Sequence, residues 1–181
     1  LPKEDLPKET SETLEKLLLQ GKAPAKIENL ERMLIGFFRN AEAEELKEYY
    51  AVTEGAENRI IAAAKTATSI EDFYEKVKTK RYTMATVRRM IIAPFLGIKK
   101  AEPTIPFLRV LAFNARGAEI MKNIKKSSDL PLITNFTPEL AAVPEFAEQI
   151  ALERRATDIF SLATPVIGSA FSDYTEKITM I

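Results

Sequence analysis

Residues 83–97 read Thr-Met-Ala-Thr-Val-Arg-Arg-Met-Ile-Ile-Ala-Pro-Phe-Leu-Gly, and this stretch decides the fold class. Thr83 is placed to cap a helix, and Gly97 is placed to end it in the left-handed conformation that glycine tolerates. Between them Met84, Val87, Ile91 and Phe95 recur at three and four residues, the period of a helix with one face in a core. Met90 and Ile92 widen that stripe, so this helix is expected to sit centrally in the packing. Pro94 lacks an amide proton and its ring opposes the carbonyl of Met90, which predicts a kink or an early end.

The same period recurs upstream. Ser11 and Glu12 introduce a leucine-rich helix over 12–20 that Gly21 ends. A second helix is expected over 25–39, with Ile27, Leu30, Leu34, Phe37 and Phe38 on one stripe. Residues 41–50 read as a third helix, and a fourth runs from Gly55 to about Lys65 with Ile60 and Ala64 on one side. Thr68 and Glu71 have capping-box spacing before the short helix of Ile70, Phe73, Tyr74 and Val77. A polar connection, Lys78-Thr79-Lys80-Arg81-Tyr82-Thr83, leads into the central helix.

Downstream of Pro103 and Pro106 the pattern changes. Leu108-Arg109-Val110-Leu111-Ala112-Phe113 is a compact apolar run suited to a strand. Asn114 caps a helix over 115–126, with Ile120, Met121 and Ile124 expected to face inward. Leu130-Pro131-Leu132-Ile133-Thr134 supplies a second strand. A strand, a helix and a strand at this spacing predict a small parallel βαβ element. Helical character returns over 145–162, and the tail 174–181 reads as irregular or edge-like. The expected fold is therefore mostly α, a multi-helix domain with a small βαβ element of two short parallel strands in its second half. Residues 1–105 form the helical region with the basic loop-helix, and 106–181 the βαβ element and last helix, packed as one domain.

Composition limits the chemistry. The 181 residues are 46% hydrophobic and 29% charged, enough for a core and too apolar for a disordered chain. There are no cysteines, which removes disulfides and thiolate metal sites. There is no histidine, the side chain best suited to proton transfer near neutrality. No run approaches a membrane span, so no membrane partner is expected. The opening Leu1-Pro2-Lys3-Glu4 reads neither as the start of a complete gene product nor as a secretory leader. No glycine-rich phosphate loop is present. Glu54, Glu57, Asp72 and Glu75 have only the spacing of helix surfaces, so no metal site and no catalytic residue is expected of these residues.

Net charge is zero, but its distribution is uneven. Residues 1–60 hold nine basic and thirteen acidic side chains, residues 61–130 fourteen and six, and residues 131–181 three and seven. The basic excess is sharpest between Lys76 and Lys100, where eight cations (Lys76, Lys78, Lys80, Arg81, Arg88, Arg89, Lys99 and Lys100) occur with no carboxylate. Such a block can steer a polyanion onto one side of a neutral molecule. Lys78, Lys80, Arg81, Thr83, Arg88 and Arg89 are the candidate phosphate-contacting residues, with Arg81 and Arg88 pointing the same way if the helix begins at Arg81. Tyr82 could stack on an unpaired base. A solvated surface, or one that docks an acidic partner protein, fits the same charges. Arg59, beside Glu57 at a helix start, and Arg109, inside an apolar run, are secondary candidates. Arg59 has an alternative role in intrahelical support, and Arg109 in pairing with a carboxylate.

Several phrases carry a resemblance. They are Glu54-Gly55-Ala56-Glu57-Asn58-Arg59-Ile60, Lys78-Thr79-Lys80-Arg81-Tyr82-Thr83, Arg89-Met90, and Arg109 to Asn114 with Gly117. Pro131-Leu132-Ile133-Thr134, the segment Ala156 to Leu162 and Asp173-Tyr174-Thr175 follow in the expected order. Over most of residues 50–181 the chain resembles the latter part of the bacterial tRNA(Met) cytidine acetate ligase family. It departs from the family where Thr86 replaces an arginine, Met84 a common aromatic residue and Ala112 a glycine. The resemblance implies an enzyme that uses ATP, with magnesium, to activate acetate as acetyl-adenylate and passes the acetyl group to N4 of the wobble cytidine of elongator tRNA(Met). The family's adenylate-forming domain is amino-terminal and carries a histidine-bearing signature absent from these residues. By this resemblance the chain binds no cofactor itself, partners tRNA rather than DNA, works beside its own nucleotide-binding domain, and is cytoplasmic. Asn114 joins Arg59 and Arg109 as a secondary contact.

Overall fold

The computed structural model describes residues 6–53, 55–100, 105–170 and 178–180. Two compact units emerge from the chain's own contacts: residues 1–101 with 159–169, and residues 102–158 with 170–181. The chain is mostly helical, and its second half carries short parallel strand pairs.

In the first unit, α1 (Lys8–Leu19) begins a turn before Ser11, because Pro7 presets the backbone and its carbonyl accepts the Ser11 amide at 3.0 Å. The helix expected over 25–39 is instead a 3-10 turn (Ile27–Leu30) followed by α2 (Glu31–Arg39). Ahead of that turn Lys26 is extended, and its amide donates to Ala163 O at 2.8 Å. The third helix shrinks to α3 (Ala43–Leu46). Beyond it the backbone leaves the helix to bond another segment, Tyr50 N to Ile98 O and Lys100 N to Glu48 O, both 2.8 Å.

Four elements make the core of this unit: α2, α4 (Ala56–Thr66), α5 (Ile70–Val77) and α6 (Met84–Leu96). Leu34, Phe38, Ile60, Ile70, Phe73, Val87, Met90 and Ile91 have no exposed surface. Each such side chain contributes about 1.5–3 kcal/mol. Phe38 sits against Phe73, and Phe37 meets Phe95 edge-on. α6 is central as expected, although Met84, Ile92 and Phe95 are only half-buried. Pro94 does not end it. The proline falls in the last turn, is buried, and the helix closes at Gly97 with φ +78°. The cap of α5 lies one residue later than the capping-box spacing suggested. Ser69 Oγ accepts from Asp72 N at 3.1 Å, and the Asp72 carboxylate accepts the Thr68 amide at 2.9 Å.

In the second unit the apolar run 108–113 is not one strand. β1 (Leu108–Arg109) pairs in parallel with β3 (Leu132–Ile133), in the register Leu108↔Leu132 and Arg109↔Ile133. β2 (Ala112–Phe113) pairs in parallel with β4 (Thr179–Met180) in the tail. The βαβ unit is completed by α7 (Ala115–Ser127), capped where Asn114 Oδ1 accepts from Gly117 N at 2.9 Å. Ile120 points outward, 49% exposed, and only Gly117, Ala118, Met121 and Ile124 of α7 are half-buried. A short helix, α8 (Pro138–Ala141), precedes α9 (Pro144–Leu162), whose residues up to Asp158 belong to this unit. Phe107, Ile133, Phe136 and Ile150 form this unit's core. Glu54, Pro103 and the Asp173-Tyr174-Thr175 phrase lie outside the described residues.

Candidate nucleic-acid interface

The polar connection between α5 and α6 is a built turn. Thr79 and Tyr82 form an antiparallel bridge, Tyr82 N donates to Thr79 O at 3.3 Å, and Arg81 N donates to Thr79 Oγ1 at 3.1 Å. Lys80 and Arg81 therefore occupy the two central positions of a tight turn, and both are exposed. Thr83 Oγ1 accepts the Thr86 amide at 3.3 Å and fixes the start of α6, whose second turn displays Arg88 and Arg89, also exposed. Because α6 starts at Met84, Arg81 lies in the turn and not on the helix. The seven-residue spacing therefore does not align it with Arg88.

Two ties hold this turn against the first turn of α4. The Arg59 guanidinium donates to Val77 O at 2.8 Å and to Lys78 O at 3.0 Å, covering carbonyls left open at the end of α5. The hydroxyls of Tyr82 and Thr53 share a hydrogen bond of 2.7 Å, and Thr53 O accepts the Ala56 amide at the entry to α4. Glu57 lies between these ties in sequence. It is 4% exposed, and among the described residues its Oε2 is a buried atom with no hydrogen-bond partner.

The eight-residue basic block divides by partner. Lys76 Nζ bonds Asp72 at 2.6 Å and Thr66 O at 2.8 Å. Lys78 faces Glu75 at 3.6 Å, Lys99 faces Glu48 at 3.2 Å, and Lys100 donates to Lys47 O at 2.7 Å. Lys80, Arg81, Arg88 and Arg89 have no acidic partner among the described residues. Two of these rest on rings instead: Arg81 lies 5.5 Å from the Tyr82 centroid, and Arg88 lies 5.8 Å from that of Tyr74. Burial pushes the Tyr74 phenol up, with the Arg88 charge opposing it. The hydrogen bond from Lys76, then that from the Thr68 amide, holds Asp72 below the usual carboxylate range. Tyr82 is half-buried, with its hydroxyl engaged and Arg81 beside its ring, which narrows the room for a stacking base.

The secondary candidates have structural work. Arg59 caps α5. Arg109, in the second unit, donates to Glu153 Oε2 at 2.7 Å and lies 4.3 Å from the Phe136 centroid, while Glu153 Oε1 accepts from Gln149 at 3.1 Å. Asn114 is spent on the cap of α7. Sequence reasoning missed Thr53, whose partner is 29 positions away, and the orphaned oxygen of Glu57. No local pattern signals either.

The mostly helical chain with its small parallel βαβ element belongs to a known class. The sequence model of the HIGH nucleotidyl transferase family matches residues 2–173, and the chain is a member of that family. Among its relatives are tRNA(Met) cytidine acetate ligases. That of Thermosipho melanesiensis is 32% identical over 136 residues, covering 72% of this chain and 32% of the relative. That of Acetivibrio thermocellus is 26% identical over 186 residues, covering 97% of this chain and 45% of the relative. The crystal structure of Thermotoga maritima TmcAL in its apo form superposes with a TM-score of 0.88 at 26% identity, over 97% of this chain and 46% of that one. A second structure of that enzyme, bound with alpha-thio ATP, gives 0.86 at 27% identity over 97% and 47%. The chain thus spans less than half the length of these relatives.

Proposed function

We propose that this chain is the carboxy-terminal, tRNA-positioning region of an ATP-dependent ligase that acetylates N4 of the wobble cytidine of elongator tRNA(Met), with acetyl-adenylate made in an amino-terminal domain outside these residues. One observation carries the reading. The turn at 79–82 and the second turn of α6 present Lys80, Arg81, Arg88 and Arg89 to solvent without carboxylates, while the neighbouring cations are engaged with carboxylates or carbonyls. Arginine binds a phosphate through two parallel N–H donors and lysine through a point charge, so the set suits a sugar-phosphate backbone. Lys78 and Thr83 flank this set: the first paired with Glu75 at 3.6 Å, the second engaged as a cap.

Chemistry at N4 needs groups that activate acetate, and they are assigned to the other part of the enzyme with ATP, magnesium and acetate. This region would hold the anticodon arm against that centre, which removes much of the entropic barrier to transfer. The helical region 1–105 and the βαβ region 106–181 act together in this reading, in the cytoplasm, with tRNA and the nucleotide-binding domain as partners. Backbone contacts fix register, and recognition of the cytidine falls to base-edge contacts.

The isolated 181-residue chain, titrated with a tRNA(Met) transcript at rising salt, tests this. Log affinity should fall linearly with log salt, with a slope of about 0.7–0.9 for each phosphate neutralised. A flat dependence, or equal binding to polyglutamate, contradicts it.

A further inference from the structure

The second unit carries a cationic surface that the turn at 79–82 does not account for. α7 packs on β2 and β3 through the side that holds Gly117, Met121 and Ile124. Lys122, Lys125 and Lys126 lie at i, i+3 and i+4 along one flank of α7, with Lys125 bordering the Met121 side, and all three are exposed. Arg116, in the first turn, is exposed as well but faces away from the three lysines, on the opposite side of the helix from Lys125. None of the four has an ion pair among the described residues, although Glu119 stands only three positions before Lys122. Like charges three and four apart repel, each pair costing α7 a few tenths of a kcal/mol. Cations in a last turn complement the helix dipole, which accounts for Lys125 and Lys126 but not for Lys122 or Arg116.

We propose that the flank of α7 formed by Lys122, Lys125 and Lys126 is a second phosphate-contacting surface for the backbone of a bound RNA. This rests on the reading that the chain binds RNA, and extends it to an element outside the turn and α6. Three ammonium groups spread along a helix flank suit a polymer of phosphates better than a small anion. Lysine ammonium groups contact phosphate without reading bases, so α7 supplies affinity and orientation and leaves sequence choice unchanged.

The test replaces all three lysines (Lys122→Ala, Lys125→Ala, Lys126→Ala) and measures binding of a tRNA transcript by the 181-residue chain as a function of salt. Alanine keeps helix propensity, so circular dichroism should be unchanged. The salt slope should become shallower by about 2, and affinity near ~0.1 M salt should fall tenfold or more. The corresponding triple arginine variant should bind as the parent does. If the parent binds RNA and Arg81→Ala/Arg88→Ala weakens it while the α7 variant keeps the parental slope, the α7 surface is overturned and the RNA reading stands. If the α7 variant loses affinity for polyglutamate and RNA equally, the surface is a general anion patch and the assignment to RNA is overturned. If the parent does not bind RNA at all, both readings fail together.

Discussion

Tyr82 and Thr53, 29 residues apart, join hydroxyls at 2.7 Å and pin the basic turn to the entry of α4. Tyr82→Phe keeps the ring beside Arg81 and removes this bond alone. A typical intramolecular hydrogen bond contributes about 0.5–1.5 kcal/mol, so a small loss in melting temperature is expected. RNA affinity should fall only modestly. A large loss of affinity with no change in stability would assign the hydroxyl to the ligand.

Arg59 is the second tie, with its two donors on Val77 O and Lys78 O. Arg59→Lys keeps the charge but lacks the planar fork that spans both carbonyls. We expect the variant to be less stable by about 0.5–1.5 kcal/mol, the range of one ordinary hydrogen bond, because lysine can still reach one carbonyl. Its tRNA affinity should weaken because the turn loosens, with the salt slope preserved because no phosphate contact is removed. A shallower slope would place Arg59 directly on phosphate.

Asp72 gives the start of α5 its pH dependence. Its carboxylate holds Lys76 and the Thr68 amide, and its pKa lies below the unfolded value. A depressed carboxylate contributes stability above the unfolded pKa, and that contribution is lost as pH falls through the folded one. The start of α5 should therefore hold at neutral pH and weaken only at acid pH, below about 4. Titration of the Asp72 side chain by NMR checks this. A midpoint above that of a free aspartate contradicts it.

Glu57 is a buried carboxylate with one unpartnered oxygen among the described residues. Leaving a buried polar group unsatisfied costs about 1–3 kcal/mol, so Glu57→Met should unfold at a higher denaturant concentration than the parent. A destabilised variant would show that the oxygen has a partner in solution, such as an ordered water.

Arg109 belongs to the framework of the second unit, between Glu153 and the Phe136 ring. Arg109→Ala leaves a partly buried carboxylate behind and should destabilise by about 1–3 kcal/mol, less than a fully buried pair because a quarter of each side chain is solvated. Binding of RNA by the folded fraction should be unchanged.

Much of the fold was legible where the signal is local. Thr83 and Gly97 marked the ends of α6, Asn114 marked the start of α7, and the spacing of the apolar runs foretold the β1–β3 parallel pair. The failures were decided by distant partners. Residues 48–50 have helical composition, yet their backbone bonds 98–100 instead. Thr68 and Ser69 are adjacent hydroxyls, and only the path of the chain selects Ser69 as the cap. Ile120 matches the period of an inward residue but falls at the margin of a helix that buries little. The candidate surface was legible as a block of charge, and the division within it was only partly so. Asp72 and Lys76 have the i, i+4 spacing of a pair, whereas Glu48 neutralises Lys99 from 51 positions away.

The central claim is that a polyanion is held by the unpaired cations of the turn and α6. Salt-dependent tRNA binding by Arg81→Ala/Arg88→Ala, beside the parent chain, tests it most directly. The account predicts a weaker complex whose salt slope is shallower by about 1.5–2, with helicity unchanged. Parental affinity and slope in this variant would contradict it.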